Sequence, residues 1–125
     1  MTIDLHGGPA AVSEARHAID KLAVEERLPR ADDLRLLVSE LVTNSVLHGG
    51  AGPDDSLQIQ IDRPDDRVRV MVCDNGGWTE SGRSRFLDSD EPAGGWGLML
   101  VGAIADSWGV EAGDRTCVWF EIGGN

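Results

Sequence analysis

Apolar residues recur along the chain at two different intervals, which separate the predicted helices from the predicted strands. Intervals of three and four residues predict a helix over residues 10–28, which stops near Pro29. The same intervals predict a second helix, for which Asp32 and Asp33 are natural caps and which ends at Gly49. This second helix is the clearer of the two, because one of its faces carries Leu34, Leu37, Val38, Leu41 and Val42.

Strict alternation of apolar and polar residues predicts the strands. The alternating runs are residues 2–7, 56–62 and 67–74, and two further strand-like runs, residues 108–112 and 116–122, lie around the turn at residues 113–115. The first would be an edge strand, and the second and third would form an antiparallel hairpin. A long loop over residues 75–95 and a short helix over residues 97–108 come before the last pair. Helices interspersed with mostly antiparallel strands predict an α+β two-layer sandwich, with the helices on one face of the sheet.

Length, charge and cysteine content narrow the class of protein. A chain of 125 residues has room for one domain, residues 1–125. Its 22 acidic and 11 basic side chains give a net charge of -11, which disfavours nucleic acid and anionic lipid as partners. No signal peptide or membrane span is expected. Cys73 and Cys117 lie in strand-like runs and are expected to be small, buried free thiols in a reducing cytosol.

Three polar residues interrupt the apolar character of the second helix. Glu40, Asn44 and His48 are four residues apart, so they form one slanted stripe at the edge of the apolar face. Polar groups at the border of a core cost about 1–3 kcal/mol unless they have a partner, which points to a bound ligand. In the alternative interpretation, Glu40 and Asn44 are solvated and His48 caps the end of the helix.

Two glycine-rich segments offer further polar chemistry. Asp74 ends a strand and is followed by Gly76 and Gly77, so its carboxylate could accept from an exocyclic amine while the glycines approach a flat ring. Alone, this segment is equally an ordinary turn. Gly95 and Gly97 lead into the short helix, an arrangement that suits phosphates. The pattern is neither a P-loop nor a dinucleotide fingerprint.

Taken together, the three elements resemble the GHKL superfamily of ATP-binding domains, which includes gyrase, histidine kinases and MutL-type proteins. The resemblance covers residues 32–122. Three motifs carry it. Glu40-x-x-x-Asn44 with His48 resembles the N box of the family. Asp74-x-Gly76 resembles the first glycine box, and Gly95-x-Gly97-Leu98 resembles the second. The fold that this resemblance implies is the same two-layer sandwich.

The resemblance implies that the chain binds ATP and Mg²⁺. It implies that Asn44 holds the metal, that Asp74 binds the adenine amine, and that residues 78–95 form a lid over the triphosphate. The implied cofactor-binding residues are Asn44, His48, Asp74, Gly76, Gly77, Gly95, Trp96, Gly97 and Leu98.

Within this superfamily, the chain is most similar to the anti-sigma-factor serine kinases. Gyrase and MutL relatives need a second domain, and sensor histidine kinases need a helical hairpin with a phospho-accepting histidine. His17 in the first helix is instead expected to be a surface histidine. The similarity implies a cytoplasmic kinase that regulates transcription by switching between two partners, a sigma factor and an antagonist protein phosphorylated on serine. Glu40 would be the catalytic base, and a homodimer, common in this family, is a further implied assembly.

Two positions depart from the family pattern. Trp78 stands where the first box usually has its last glycine, and Ser45 replaces the usual alanine of the N box. Trp78 could stack on the purine, but packing on the core as a loop anchor is the favoured expectation for both Trp78 and Trp96. The irregular first box keeps an alternative open, a non-catalytic ATP-binding interaction module that sequesters a regulatory partner.

Overall fold

A computed structural model describes residues 1–47, 56–74, 100–112 and 116–123 of the chain, which together contain two helices and five strands. The helices are α1 (Ala11–Glu25) and α2 (Ala31–Leu47). The strands are β1 (Thr2–His6), β2 (Ser56–Asp62), β3 (Val68–Asp74), β4 (Ser107–Ala112) and β5 (Thr116–Ile122). Residues 100–104 are also helical. The predicted α+β class is confirmed.

The five strands form one sheet in the order β1-β2-β3-β5-β4, and every neighbouring pair is antiparallel. β1 is an edge strand, as its sequence predicts, and β4 is the other edge. The predicted hairpin of β2 and β3 is present, as is the pairing of the last two strands. This order places β3 at the centre of the sheet, so Asp74, the last residue of this strand, lies beside the core.

One face of the sheet carries the core and both helices. Alternate residues of β2, β3 and β5 are buried on this face: Leu57, Ile59, Ile61, Val68, Val70, Val72, Val118, Phe120 and Ile122. They belong to one hydrophobic cluster with helix residues such as Ile19, Leu37 and Leu41. Burial of each large apolar side chain contributes about 1.5–3 kcal/mol, so this cluster fixes both helices on the sheet. The prediction of helices on one face is confirmed.

The start of α2 differs from its predicted start. The helix begins at Ala31, so Asp32 and Asp33 lie in its first turn and are not caps. Arg30 precedes the helix with a positive φ of 53°, and its Nε donates to the Asp33 carboxylate at 2.9 Å. Acidic side chains in a first turn still interact favourably with the helix dipole. The expectation that they cap α2 is wrong, because the helix has already begun at Ala31.

The helix predicted over residues 97–108 is too long at its carboxyl end. Helical structure stops at Ile104, and Ser107 already belongs to β4. The backbone N–H of Asp106 donates to the Glu121 carbonyl of β5 at 2.9 Å. The chain from Asp106 onward therefore pairs with β5, although the sequence predicts that the helix continues to residue 108.

The two cysteines are paired. Cys73 of β3 and Cys117 of β5 stand directly opposite each other and form a disulfide. The expectation of two free thiols is therefore wrong. Their separation of 44 residues gives no local signal of pairing, and only the register of the two central strands brings them together. In the parts of the chain that the structure describes, no helix is long and apolar enough to cross a bilayer.

Candidate functional site

The polar stripe of α2 reaches into the protein. Asn44 is 4% exposed and Glu40, one turn earlier, is half-buried. The interpretation in which both side chains are merely solvated is therefore wrong for Asn44. His48 lies outside the described residues, so its place on the stripe stays a prediction. The helix thus brings an amide and a carboxylate to the border of the core.

The side chain of Asn44 is buried without full hydrogen bonding. Its Nδ2 is enclosed and has no hydrogen-bond partner among the residues that the structure describes. An unsatisfied buried amide donor costs about 1–3 kcal/mol. Such groups in a folded protein need an explanation, and an approaching ligand that supplies the missing partner is one. Asn44 is therefore the described residue whose surroundings most directly indicate a bound molecule.

Asp74 is the second buried polar residue of the site. It is the last residue of β3 and follows Val70 and Val72 on the face that carries the core. Its side chain is 1% exposed, so a carboxylate stands at the end of a buried apolar row. The sequence predicts that this carboxylate accepts a hydrogen bond from an exocyclic amine, and its enclosed position suits that role.

Packing of α2 on β3 places the two parts of the site on one side of the molecule. The helix contacts this strand, and the apolar residues of both belong to the same cluster. Asn44 and Asp74 are each buried on that shared side. Asn44 and Asp74, which are 30 positions apart in the sequence, are thus on a helix and a strand that contact each other. Glu40, also on α2, adds a carboxylate one helical turn from the amide.

The remaining predicted site residues lie outside the described residues. They are His48, Gly76, Gly77, Gly95, Trp96, Gly97 and Leu98, and their roles stay predictions. The same holds for Trp78 and for the lid expected over residues 78–95. Of the predicted site, the structure thus describes Glu40, Asn44 and Asp74.

The described residues fit a magnesium nucleotide. Mg²⁺ keeps several waters and takes few protein ligands, so a single amide oxygen beside substrate phosphates suffices. The amide of Asn44 offers such an oxygen, and its Nδ2 remains available to a second acceptor. The carboxylate of Asp74 offers a hydrogen-bond acceptor for the adenine ring of the nucleotide.

A separate cavity lies between α1 and α2. It has a volume of about 250 Å³ and is lined by Arg16, Asp32, Arg35, Leu36 and Ser39. Within it, the Nε of Arg16 donates to the Ser39 hydroxyl at 2.9 Å and so ties the two helices together. Glu40, Asn44 and Asp74 do not line this cavity, and its polar contacts are explained by helix packing.

The family model of the histidine kinase-like ATPase domain matches residues 6–122, which is nearly the whole chain. The chain belongs to this family. The match confirms the resemblance to the GHKL superfamily of ATP-binding domains. It also extends the family's region toward the amino terminus, beyond the residues 32–122 on which the motifs are found.

Individual relatives fall within the group that the motifs indicate. The chain is 33% identical over 79 residues to the serine-protein kinase RsbW of Listeria monocytogenes, and 32% identical over 79 residues to that of Listeria innocua. Each match covers 61% of this chain and 50% of the relative. The chain therefore spans about half the length of these relatives.

A solved structure shares the fold of this histidine kinase-like ATPase domain. It contains the RsbU and RsbW domains of a protein from Mycobacterium tuberculosis, and it matches with a TM-score of 0.66. The match covers 98% of this chain and 32% of the other, at 18% identity. At that identity the likeness concerns the fold, and it agrees with the sandwich described above.

Sequence reasoning missed one feature beside the site. The Cys73–Cys117 disulfide lies one residue from Asp74, on the strand that ends at this carboxylate. Aligning the two predicted strands as antiparallel neighbours would have been needed to find the pair, and β3 and β5 are far apart in the sequence.

Proposed function

We propose that this chain is an ATP- and Mg²⁺-dependent protein-serine kinase of the anti-sigma-factor type. The observation that carries the proposal is the buried amide of Asn44, whose Nδ2 lacks a partner among the described residues, one turn from Glu40 on a helix that packs against β3. Membership of the histidine kinase-like ATPase family and the similarity to RsbW proteins support it.

The three described site residues would have distinct roles. Asp74 would accept a hydrogen bond from the adenine amine, which selects adenine over guanine because guanine presents a carbonyl oxygen at that position. Asn44 would hold Mg²⁺ through its amide oxygen. Bound ATP would supply the phosphoryl group, and the metal would neutralise charge on the phosphates. Glu40 would orient the incoming serine hydroxyl and accept its proton.

This arrangement limits what the protein itself must do. In phosphoryl transfer a protein mainly positions the reacting groups and stabilises their charge. A rigid α2 fixes Glu40 and Asn44 relative to each other, since they are one turn apart. Apolar residues of α2 and β3 belong to one core cluster, and this packing would hold Glu40 and Asn44 in position relative to Asp74.

The biological context is part of the same proposal. Residues 1–125 would act as one ATP-binding domain in the cytoplasm. The protein substrate would be an antagonist carrying the target serine, and the alternative partner would be a sigma factor. Switching between the two would regulate transcription, and a homodimer is the proposed assembly.

Labelled ATP and candidate antagonists encoded near this gene provide the test. Transfer of label to a serine of one antagonist, abolished by Glu40→Gln, is the expected result. Binding of ATP without transfer to any antagonist of the same genome would favour the interaction module, which holds a partner and uses the nucleotide as a structural ligand. Failure to bind ATP at all would refute both.

A further inference from the structure

The disulfide joins two central strands of the sheet. Cys73 of β3 and Cys117 of β5 are directly opposite each other, with their Cα atoms 4.0 Å apart. Both side chains are buried, at 0% and 6% exposure respectively. The bond therefore fixes the distance between the strands at this point.

This crosslink lies at the end of β3 that carries the site. In the register of the two strands, the pair Cys73 and Cys117 is followed immediately by the pair Asp74 and Thr116. Successive residues of a strand point to opposite faces, so the disulfide lies on the face away from the core while Asp74 lies on the core side. The disulfide thus acts on the backbone of Asp74 and does not occupy the site.

We propose that the Cys73–Cys117 pair is a redox-responsive site, which strengthens nucleotide binding at Asp74 when oxidised and weakens it when reduced by a dithiol. The inference rests on the proposed function, because it assigns the nucleotide to Asp74. Disulfides are rare in a reducing cytosol, where those that occur are usually transient or redox-sensing. In the proposed compartment, this pair would respond to conditions and would not be a permanent crosslink.

The exchange is balanced with a dithiol as the reductant. One thiolate of the dithiol attacks the sulfur of Cys117, the more exposed of the two, and a mixed disulfide forms. The Cys73–Cys117 bond breaks, and Cys73 leaves as a thiolate that takes up a proton. The second thiolate of the dithiol then attacks the mixed disulfide and releases Cys117. Two electrons enter the protein, and the dithiol leaves as its own disulfide; oxidation is the reverse exchange.

Reduction of the disulfide increases the separation that the two sulfur atoms need, and so affects the ends of β3 and β5. Non-bonded heavy atoms keep about 3.5–4 Å between them, so two thiols need more room than a disulfide. In the reduced protein the strands relax apart or the thiols adopt other rotamers. Asp74 is the next residue after Cys73, so its position becomes less fixed. A binding group that is less preorganised binds its ligand more weakly, so the affinity for the nucleotide falls.

Calorimetry of Mg·ATP binding to oxidised and reduced protein tests the proposal. The oxidised form is prepared with an oxidised dithiol and the reduced form with excess dithiothreitol, and alkylation followed by mass spectrometry counts the thiols. We expect no free thiols and two free thiols respectively, and at least a threefold lower affinity in the reduced form. Amide hydrogen exchange in β3 and β5 should be faster in the reduced form, whether or not nucleotide is present.

A matched variant separates the redox effect from other actions of the reagents. Cys117→Ser is nearly isosteric and cannot form the bond, so it should bind Mg·ATP as the reduced parent does in both buffers. Equal affinity of the oxidised and reduced parent, or two free thiols after oxidation, would overturn the proposal. A third outcome is that neither form binds Mg·ATP while amide hydrogen exchange in β3 and β5 still responds to reduction. This would refute the nucleotide site and its coupling to the disulfide, but the redox response of the strands would stand.

Discussion

Replacing Asn44 with leucine should stabilise the protein in the absence of nucleotide and abolish binding of Mg·ATP. Asn44 is 4% exposed, and its Nδ2 lacks a hydrogen-bond partner within the described part of the chain. Leucine is similar in size and carries no polar atom, so the substitution removes the cost of a buried unsatisfied donor. That cost is about 1–3 kcal/mol. Leucine also has the higher helix propensity, which adds a few tenths of a kcal/mol.

Urea unfolding followed by circular dichroism measures the gain, and the expected increase in the free energy of unfolding is about 1–3 kcal/mol. A second set of melts with Mg·ATP measures binding. A ligand present at about 100 times its Kd stabilises a protein by about 2.7 kcal/mol. We expect this increment for the parent and none for Asn44→Leu, because the variant lacks the metal ligand.

The neighbouring residue provides the control. Ser45 is also 4% exposed, but its hydroxyl donates to the Leu41 carbonyl at 3.2 Å, so it is satisfied. Ser45→Ala should therefore change stability by about 1 kcal/mol or less and leave Mg·ATP binding intact. The reasoning fails if Asn44→Leu is less stable than the parent by more than about 1 kcal/mol. Parent-like affinity in Asn44→Leu would remove this residue from the site.

Three further substitutions test other parts of the structure. Asp74→Asn should weaken ATP binding by about 1 kcal/mol or more, since the amide can present a donor to the adenine amine; calorimetry showing equal affinity of the parent for ATP and GTP would contradict this role. Glu40→Gln should keep ATP affinity and slow phosphoryl transfer by about 10²- to 10⁴-fold, and transfer at the parent rate would exclude Glu40 as the base. Gly109→Ala places a Cβ 2.8 Å from Nε1 of Trp119 and should cost about 1–3 kcal/mol, so an unchanged urea midpoint would contradict the packing described.

The fold is largely predictable from this sequence because helices and strands that bury only one face show a clear periodicity of apolar residues. Alternation in β2 and β3 matches a sheet with one covered face, and the apolar face of α2 matches the helix that covers it. The errors occur where long-range geometry overrides local signals. Asp32 and Asp33 resemble caps, yet the positive φ of Arg30 starts the helix earlier. No local pattern shows that Cys73 and Cys117 are opposite each other.

Part of the candidate site was predictable for a different reason. Asp74 is a polar residue on the buried face of β3, Asn44 lies at the edge of the apolar face of α2, and both are buried. A conflict between local chemistry and global pattern commonly marks a functional position. Glu40 lies at the edge of the same pattern and is half-buried. The packing of α2 on β3, by contrast, is revealed by no spacing in the sequence.

The four uncharged polar residues of α2 divide into two groups, and the division explains why only one group indicates a ligand. The hydroxyls of Ser39, Thr43 and Ser45 each donate to the backbone carbonyl four residues earlier, at 2.6, 2.7 and 3.2 Å. These side chains are satisfied by the helix itself and can be buried at little cost. An asparagine amide has two donors and an acceptor, and the Nδ2 of Asn44 finds no partner among the described residues. The helix thus buries hydroxyls that its own backbone satisfies, beside an amide whose Nδ2 has no acceptor among the described residues, and this difference singles out Asn44 on α2.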